Sequence, residues 1–201
     1  MRRIISLDEV NAVRERIARA HAIAAERFRD AFAASGGPPE ETWRLHLAIQ
    51  AAALIEIADG VRVRGGGNVE YDIRERIVTP FVVRGEPLFP HLIIARTPEA
   101  IFEYFLIIME ILAWHATKVI ATPVEYDDAI RRMTNPQVVR VAFGTLLPAV
   151  EIRDDETAML EVTLYTHEGE ERIERRTLAL DAENEFHFHS REVGVTSGRS
   201  T

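Results

Sequence analysis

The chain has 201 residues, 47% hydrophobic and 28% charged, with a net charge of −8 and no cysteine. That length and mixture describe one ordinary globular domain and exclude disorder. The missing cysteine excludes disulfides, thiolate zinc sites, iron–sulfur clusters and a cysteine nucleophile.

The N-terminus, Met1-Arg2-Arg3-Ile4-Ile5-Ser6, runs straight into a charged helix without an apolar export core, so the protein is expected to be cytoplasmic. Ser6 and Glu9 form a Ser-x-x-Glu capping box with Ile5 and Val10 at the staple positions. Val10, Val13, Ile17, Ala20, Ala24, Phe28 and Ala31 then recur at helical steps as one apolar seam. Gly36-Gly37 ends this helix and Pro38-Pro39 opens a second, which runs to about Ala58 before Asp59-Gly60. Two long helices joined by so short a loop predict an antiparallel hairpin.

From Val61 the period becomes two. Val61 to Arg64 and Val69 to Ile73 flank Gly65-Gly66-Gly67-Asn68 and predict a short β-hairpin. The glycines lack the Gly-Lys-Ser/Thr of a phosphate loop and open no helix, so they are expected to form the hairpin tip. Pro80, Pro87 and Pro90 break the next stretch into short extended pieces. Leu92 to Ala95 is an expected buried strand leading into a helix capped by Thr97-Pro98-Glu99. That helix is nearly all apolar through Trp114, yet too short and interrupted to span a bilayer. Glu99, Glu103, Glu110 and Thr117 fall within about 40° of one another on it, one narrow polar stripe. Thr122-Pro123-Val124-Glu125 starts a further helix that Asn135-Pro136 stops.

The remainder reads as an antiparallel meander, with strands over 138–143, 149–153, 160–167, 172–180 and 186–192. The expected fold class is therefore α+β. It comprises an N-terminal antiparallel helical hairpin, a short β-hairpin, a buried central helix and a C-terminal antiparallel β-meander. All of it forms a single domain over 1–193, helical over 1–60, mixed over 61–136 and β-rich over 137–193, with a flexible tail at 194–201.

Site chemistry is sparse. His187 and His189 form an i, i+2 pair that would share one face of a strand and suit a metal. A two-residue turn at Glu168-Gly169 would pair 165 with 172 and 161 with 176, and a four-residue turn at 181–184 would pair 176 with 189. His189 then lies beside Arg176 and Glu161, and His167 falls several residues along the sheet. An arginine is unwelcome at a cation site, so both histidines are expected on the surface and no metal is assigned. Glu103 and Glu110 are the candidate acid–base carboxylates, against the plainer reading that their stripe is the wet edge of a core helix. Arg96 and Thr97, where a strand meets a helix N-terminus, are an anion candidate, although Thr97 already serves as a cap. Arg16 and His21, spaced Arg-x4-His, match a pair used by some helical ribonucleases, but a chain with this much sheet lacks the helices such a fold needs.

Residues 1–97 carry 14 basic and 13 acidic groups and residues 98–201 carry 10 and 19. The −9 of the second part disfavours nucleic acid there, leaving only the first helix, through Arg14, Arg16 and Arg19, as a possible contact. Four Asn, two Gln and no Cys beside plentiful Glu, Arg, Ile and Val resemble a thermophile composition. No cofactor and no membrane contact are expected. The preferred function is a non-enzymatic self-associating subunit of a homo-oligomer or larger assembly. The alternative is a small-molecule-binding domain or hydrolase-type enzyme with a pocket between the central helix and the sheet.

Overall fold

A computed structural model describes residues 2–34, 42–64, 82–83, 86–87, 91–111, 117–140, 143–153, 157–167 and 171–197. Its contacts gather into two compact units, residues 1–10 with 114–201 and residues 11–113. The class is α+β, with four helices and a largely antiparallel sheet among the described residues.

In the first unit, β1 (Arg2–Ile4) leads into the start of α1 (Leu7–Ala34). The expected capping box closes there: the Glu9 carboxylate accepts the Ser6 N–H at 2.8 Å, and Ser6 Oγ accepts the Glu9 N–H. The second unit holds the rest of α1, α2 (Thr42–Ile57), β2 (Val61–Val63), β3 (Val82–Val83), β4 (Glu86–Pro87), β5 (Leu92–Ile94) and α3 (Pro98–Ile111). His21 of α1 lies by Gln50 of α2 and Phe28 by His46, which is antiparallel passage. The α1–α2 connection falls outside the described residues.

β2 pairs antiparallel with β5, Val61 against Ile94, and α3 packs on both strands and on α2. The expected partner of β2, residues 69–73, and the Gly65–Gly67 tip lie outside the described residues. β3 and β4 form a separate two-residue pair. Gly60, just before β2, is required by a close approach: a Cβ there would sit 2.2 Å from the Cβ of Ala100. Ten of the fourteen α3 residues are buried within this one chain, Glu103 among them. The carboxylate stripe is thus not a wet edge along its length. Nor does it reach Thr117, which belongs to a strand.

The first unit continues with β6 (Thr117–Ile120), α4 (Pro123–Arg132), β7 (Pro136–Val138), β8 (Ala149–Ile152), β9 (Ala158–Thr166), β10 (Arg172–Leu180) and β11 (Phe186–Ser197). The sheet order is β1-β8-β9-β10-β11-β7, with β6 also on β9. The meander of β8 to β11 is as expected. α4 has its Thr122/Glu125 capping box, and its inner face joins Ile120, Phe143, Tyr165, Ile173 and Val195 in one core. No helix of the described residues is long and apolar enough to cross a membrane.

Four expectations about this sheet need correction. The strands β1 and β6 were not foreseen. The strand expected over 138–143 is only β7, and Phe143 serves the core instead. The tail expected from Gly194 is strand to Ser197, because Val195 is buried between Ile173 and Val138. The register also differs. Five residues, not two, join Thr166 to Arg172, so 165 pairs with 173 and 161 with 177. A shift of one residue exchanges the faces. On β10–β11 the turn takes five residues rather than four, so 180 pairs with 186, and the bulge at His189 adds one more step, which together carry Arg176 to Arg191 and Arg175 to Glu192.

Candidate functional site

The helical unit places five polar side chains from three helices in one row. Arg16 and His21 come from α1, Gln50 from α2, Glu103 and Glu110 from α3. Arg16 Nε donates to Glu103 Oε1 at 2.6 Å, and its Nη1 meets Asp59 Oδ2 at 3.0 Å. Glu103 is 1% exposed, and its second oxygen accepts the backbone N–H groups of Asp59 and Gly60 at 3.1 and 2.9 Å. Three donors thus meet the two oxygens, one on Oε1 and two on Oε2, which replaces most of the hydration that burial removes and lets a carboxylate stay inside.

One turn and a half along α1, His21 Nε2 lies 3.2 Å from Glu110 Oε2, with the Gln50 amide 3.3 Å from that same oxygen. The hydrogen bond to Glu110 raises the His21 pKa above 6.5, against the opposing effect of burial. Both groups are about a third or more open to water, so this is a titratable pair at the rim of the unit. The two residue pairs noted separately in the sequence, Arg16 with His21 and Glu103 with Glu110, thus meet one to one.

The pH dependence has a definite sign. A histidine whose folded pKa is raised stabilises fully below its unfolded value, about 6.5, and loses that contribution as pH rises through the folded value. The expected outcome is that Glu110→Gln lowers Tm most near pH 5, and that its difference from wild type closes as pH rises to 9. A difference independent of pH across that range contradicts the pairing.

At the α3 N-terminus, Thr97 Oγ1 accepts the Ala100 N–H at 3.2 Å and is spent as a cap. Nη1 of Arg96 is buried and finds no hydrogen-bond partner among the described residues. His187 and His189 are exposed, as expected, but they do not act as a pair. Phe188 pairs with Leu178 and Ser190 with Thr177, leaving His189 as the extra residue of a bulge. His187 Nε2 instead meets Asp181 Oδ2 at 2.6 Å, which raises its pKa. Asp181, Glu185 and His187 have ligand-type atoms within 4.8 Å of one another. Asp181 Oδ1 accepts the N–H groups of Glu183 and Glu185, so this group braces the hairpin turn. His167 stacks on Tyr165, well away from it.

The sheet unit adds a cavity of about 370 Å³ whose lining includes Arg2, Thr145, Glu161, Arg175, Thr177 and Ser190. Its charges are already paired: Arg2 grips Glu161 with two bonds of 2.9 Å, Arg175 reaches Glu161, Thr163 and two backbone carbonyls, and Glu192 accepts from Arg140 outside the lining. No sequence signal marked it, since Arg2, Glu161 and Arg175 are brought together only by sheet order. No family model, curated protein or solved structure matches the chain.

Proposed function

We propose that the protein is a non-enzymatic, self-associating subunit, and that the outer edge of its sheet receives a second copy. The observation that supports this is that three of the eight large exposed apolar side chains among the described residues gather at this edge. Val138, Val139 and Phe188 are 61–64% exposed, and all three belong to the last two strands of the sheet or the residue beside them. β7 covers β11 only from Val195 to Ser197, with the N–H groups of Val139 and Arg140 bonded to Gly194 O. Among the described residues, no strand pairs with 187–192 on that side, and all six side chains there are exposed. An open edge beside apolar side chains favours strand addition. The bulge at His189 shortens the available ladder, so the apolar contacts carry the larger part.

The apolar surface of α3 is not the sticky face, because its own chain buries it. Sedimentation at micromolar concentration is expected to give a dimer or larger species, and Val139→Lys with Phe188→Lys to give a monomer of unchanged Tm. A wild-type monomer at about 100 µM, weaker than any useful assembly, overturns the proposal.

A second reading, acid–base chemistry on the helical unit, is favoured by the rim-exposed His21–Glu110 pair. It requires Glu110→Gln to abolish hydrolysis of chromogenic ester or phosphodiester substrates; wild-type protein inert toward all of them sinks it.

A further inference from the structure

Three successive cross-strand rows on one face of β9, β10 and β11 run Thr166–Arg172–Thr196, Leu164–Glu174–Val193 and Val162–Arg176–Arg191. They hold three guanidinium groups and one carboxylate, a local surplus of two positive charges in the part of the chain whose balance is −9. Arg176 and Arg191 stand directly opposite each other, an arrangement that is unfavourable between like charges unless something negative lies with them. Glu174 supplies only part of that. It is wholly buried. Its Oε1 accepts from Arg176 Nε, and its Oε2 is 3.2 Å from Arg172 Nε and 4.0 Å from Arg191 Nη1.

The donor count is as lopsided as the charge. Each guanidinium offers five N–H groups. Among the described residues the Arg172 side chain has only its ion pair with Glu174: Nε and Oε2 lie 3.2 Å apart, both buried and neither in a hydrogen bond. Arg176 spends Nε alone. Among the described residues, Arg191 has only the distant contact to Glu174, with its side chain 49% exposed. Glu174 thus gathers three forks at one point and, among the described residues, leaves most of their donors unspent.

We propose that Arg172, Arg176 and Arg191 form a binding site for a doubly charged oxyanion, inorganic phosphate or the phosphate group of a monoester. A planar fork matches two oxygens of a phosphate, and a dianion neutralises the surplus of two. Glu174 is the positioning residue: it holds the forks together and, being negative, also weakens the site it organises. Arg172 and Arg176 stand on the interior strand β10, whereas Arg191 belongs to the edge strand β11, so phosphate titration is run at a concentration below that at which the chain associates.

The test is calorimetric titration of the full chain at fixed ionic strength with inorganic phosphate, glycerol phosphate and, as control, chloride. Saturable binding of phosphate but not chloride is expected. Arg191→Gln, a substitution at an exposed position, is expected to weaken it about tenfold. Glu174→Gln, where it folds, is expected to tighten binding, a change that a purely structural ion-pair cluster would not give. Preference for glycerol phosphate assigns a monoester ligand, and equal affinity assigns free phosphate. No saturable binding up to about 10 mM, or an Arg191→Gln titration identical to wild type, overturns the proposal.

Discussion

Glu103→Ala is expected to destabilise the protein by about 3–5 kcal/mol, the range for breaking a buried ion pair from one side. The substitution strips the half-buried Arg16 of its 2.6 Å partner and leaves the N–H groups of Asp59 and Gly60 without an acceptor. In a chain of this size the loss corresponds to a Tm lower by on the order of 10 °C. Removing both charges together, as Arg16→Met with Glu103→Leu, is expected to cost less than Glu103→Ala alone, since no charge is then left inside. Chemical denaturation of the single and double variants measures both. A loss under about 0.5 kcal/mol for Glu103→Ala would show that the carboxylate is not held as described.

The second large effect belongs to Arg175 in the sheet unit. Its side chain is 91% buried and donates to Thr145 O at 2.8 Å, Thr163 Oγ1 at 3.0 Å and Leu147 O at 3.3 Å, besides its contacts with Glu161. Burial lowers its pKa, but a guanidinium remains protonated in proteins. The side chain therefore acts as a clamp, tying the 145–147 segment to the middle of the sheet. Arg175→Met is expected to cost about 3 kcal/mol, because two carbonyls and a hydroxyl lose their donor while remaining out of water. Arg175→Lys is expected to recover little, since one ammonium cannot reach acceptors on opposite sides of a planar fork. Denaturant unfolding gives the energy, and faster proteolysis near 145–147 locates it. An Arg175→Lys variant as stable as wild type contradicts the clamp.

Local signals were legible in the sequence and distant ones were not. Ser6 with Glu9 and Thr122 with Glu125 announce helix starts because both partners of a capping box lie within four residues. The meander was legible from its two-residue period. Its register was not, because the parity of a hairpin depends on how many residues the turn consumes, and Glu168-Gly169 resembled a tighter turn than the five-residue connection present. That slip mattered chemically: it moved Arg176 from beside Glu161 to beside Val162, while the longer turn after Leu180 and the bulge at His189 set it opposite Arg191. β1 escaped notice because three residues with two arginines carry no strand pattern. β6 escaped because it comes after an apolar helix whose run masks the change of period.

The candidate sites show the same division. The residue types at Glu103, Glu110, Arg16 and His21 were conspicuous, but their pairing joins positions 87 residues apart in the case of Arg16 and Glu103. Nothing local marks such a contact. His187 and His189 looked like a ligand pair only while the strand was taken as regular, and the bulge at His189 removes that regularity.

The claim of self-association through the sheet edge is tested most directly by amide hydrogen exchange of residues 187–192 at low and high protein concentration. If a second copy pairs there, the amides of this segment that do not bond β10 exchange freely in dilute solution and become protected as concentration rises, while the interior strand β9 is unchanged. Equal exchange at both concentrations would contradict self-association through this edge.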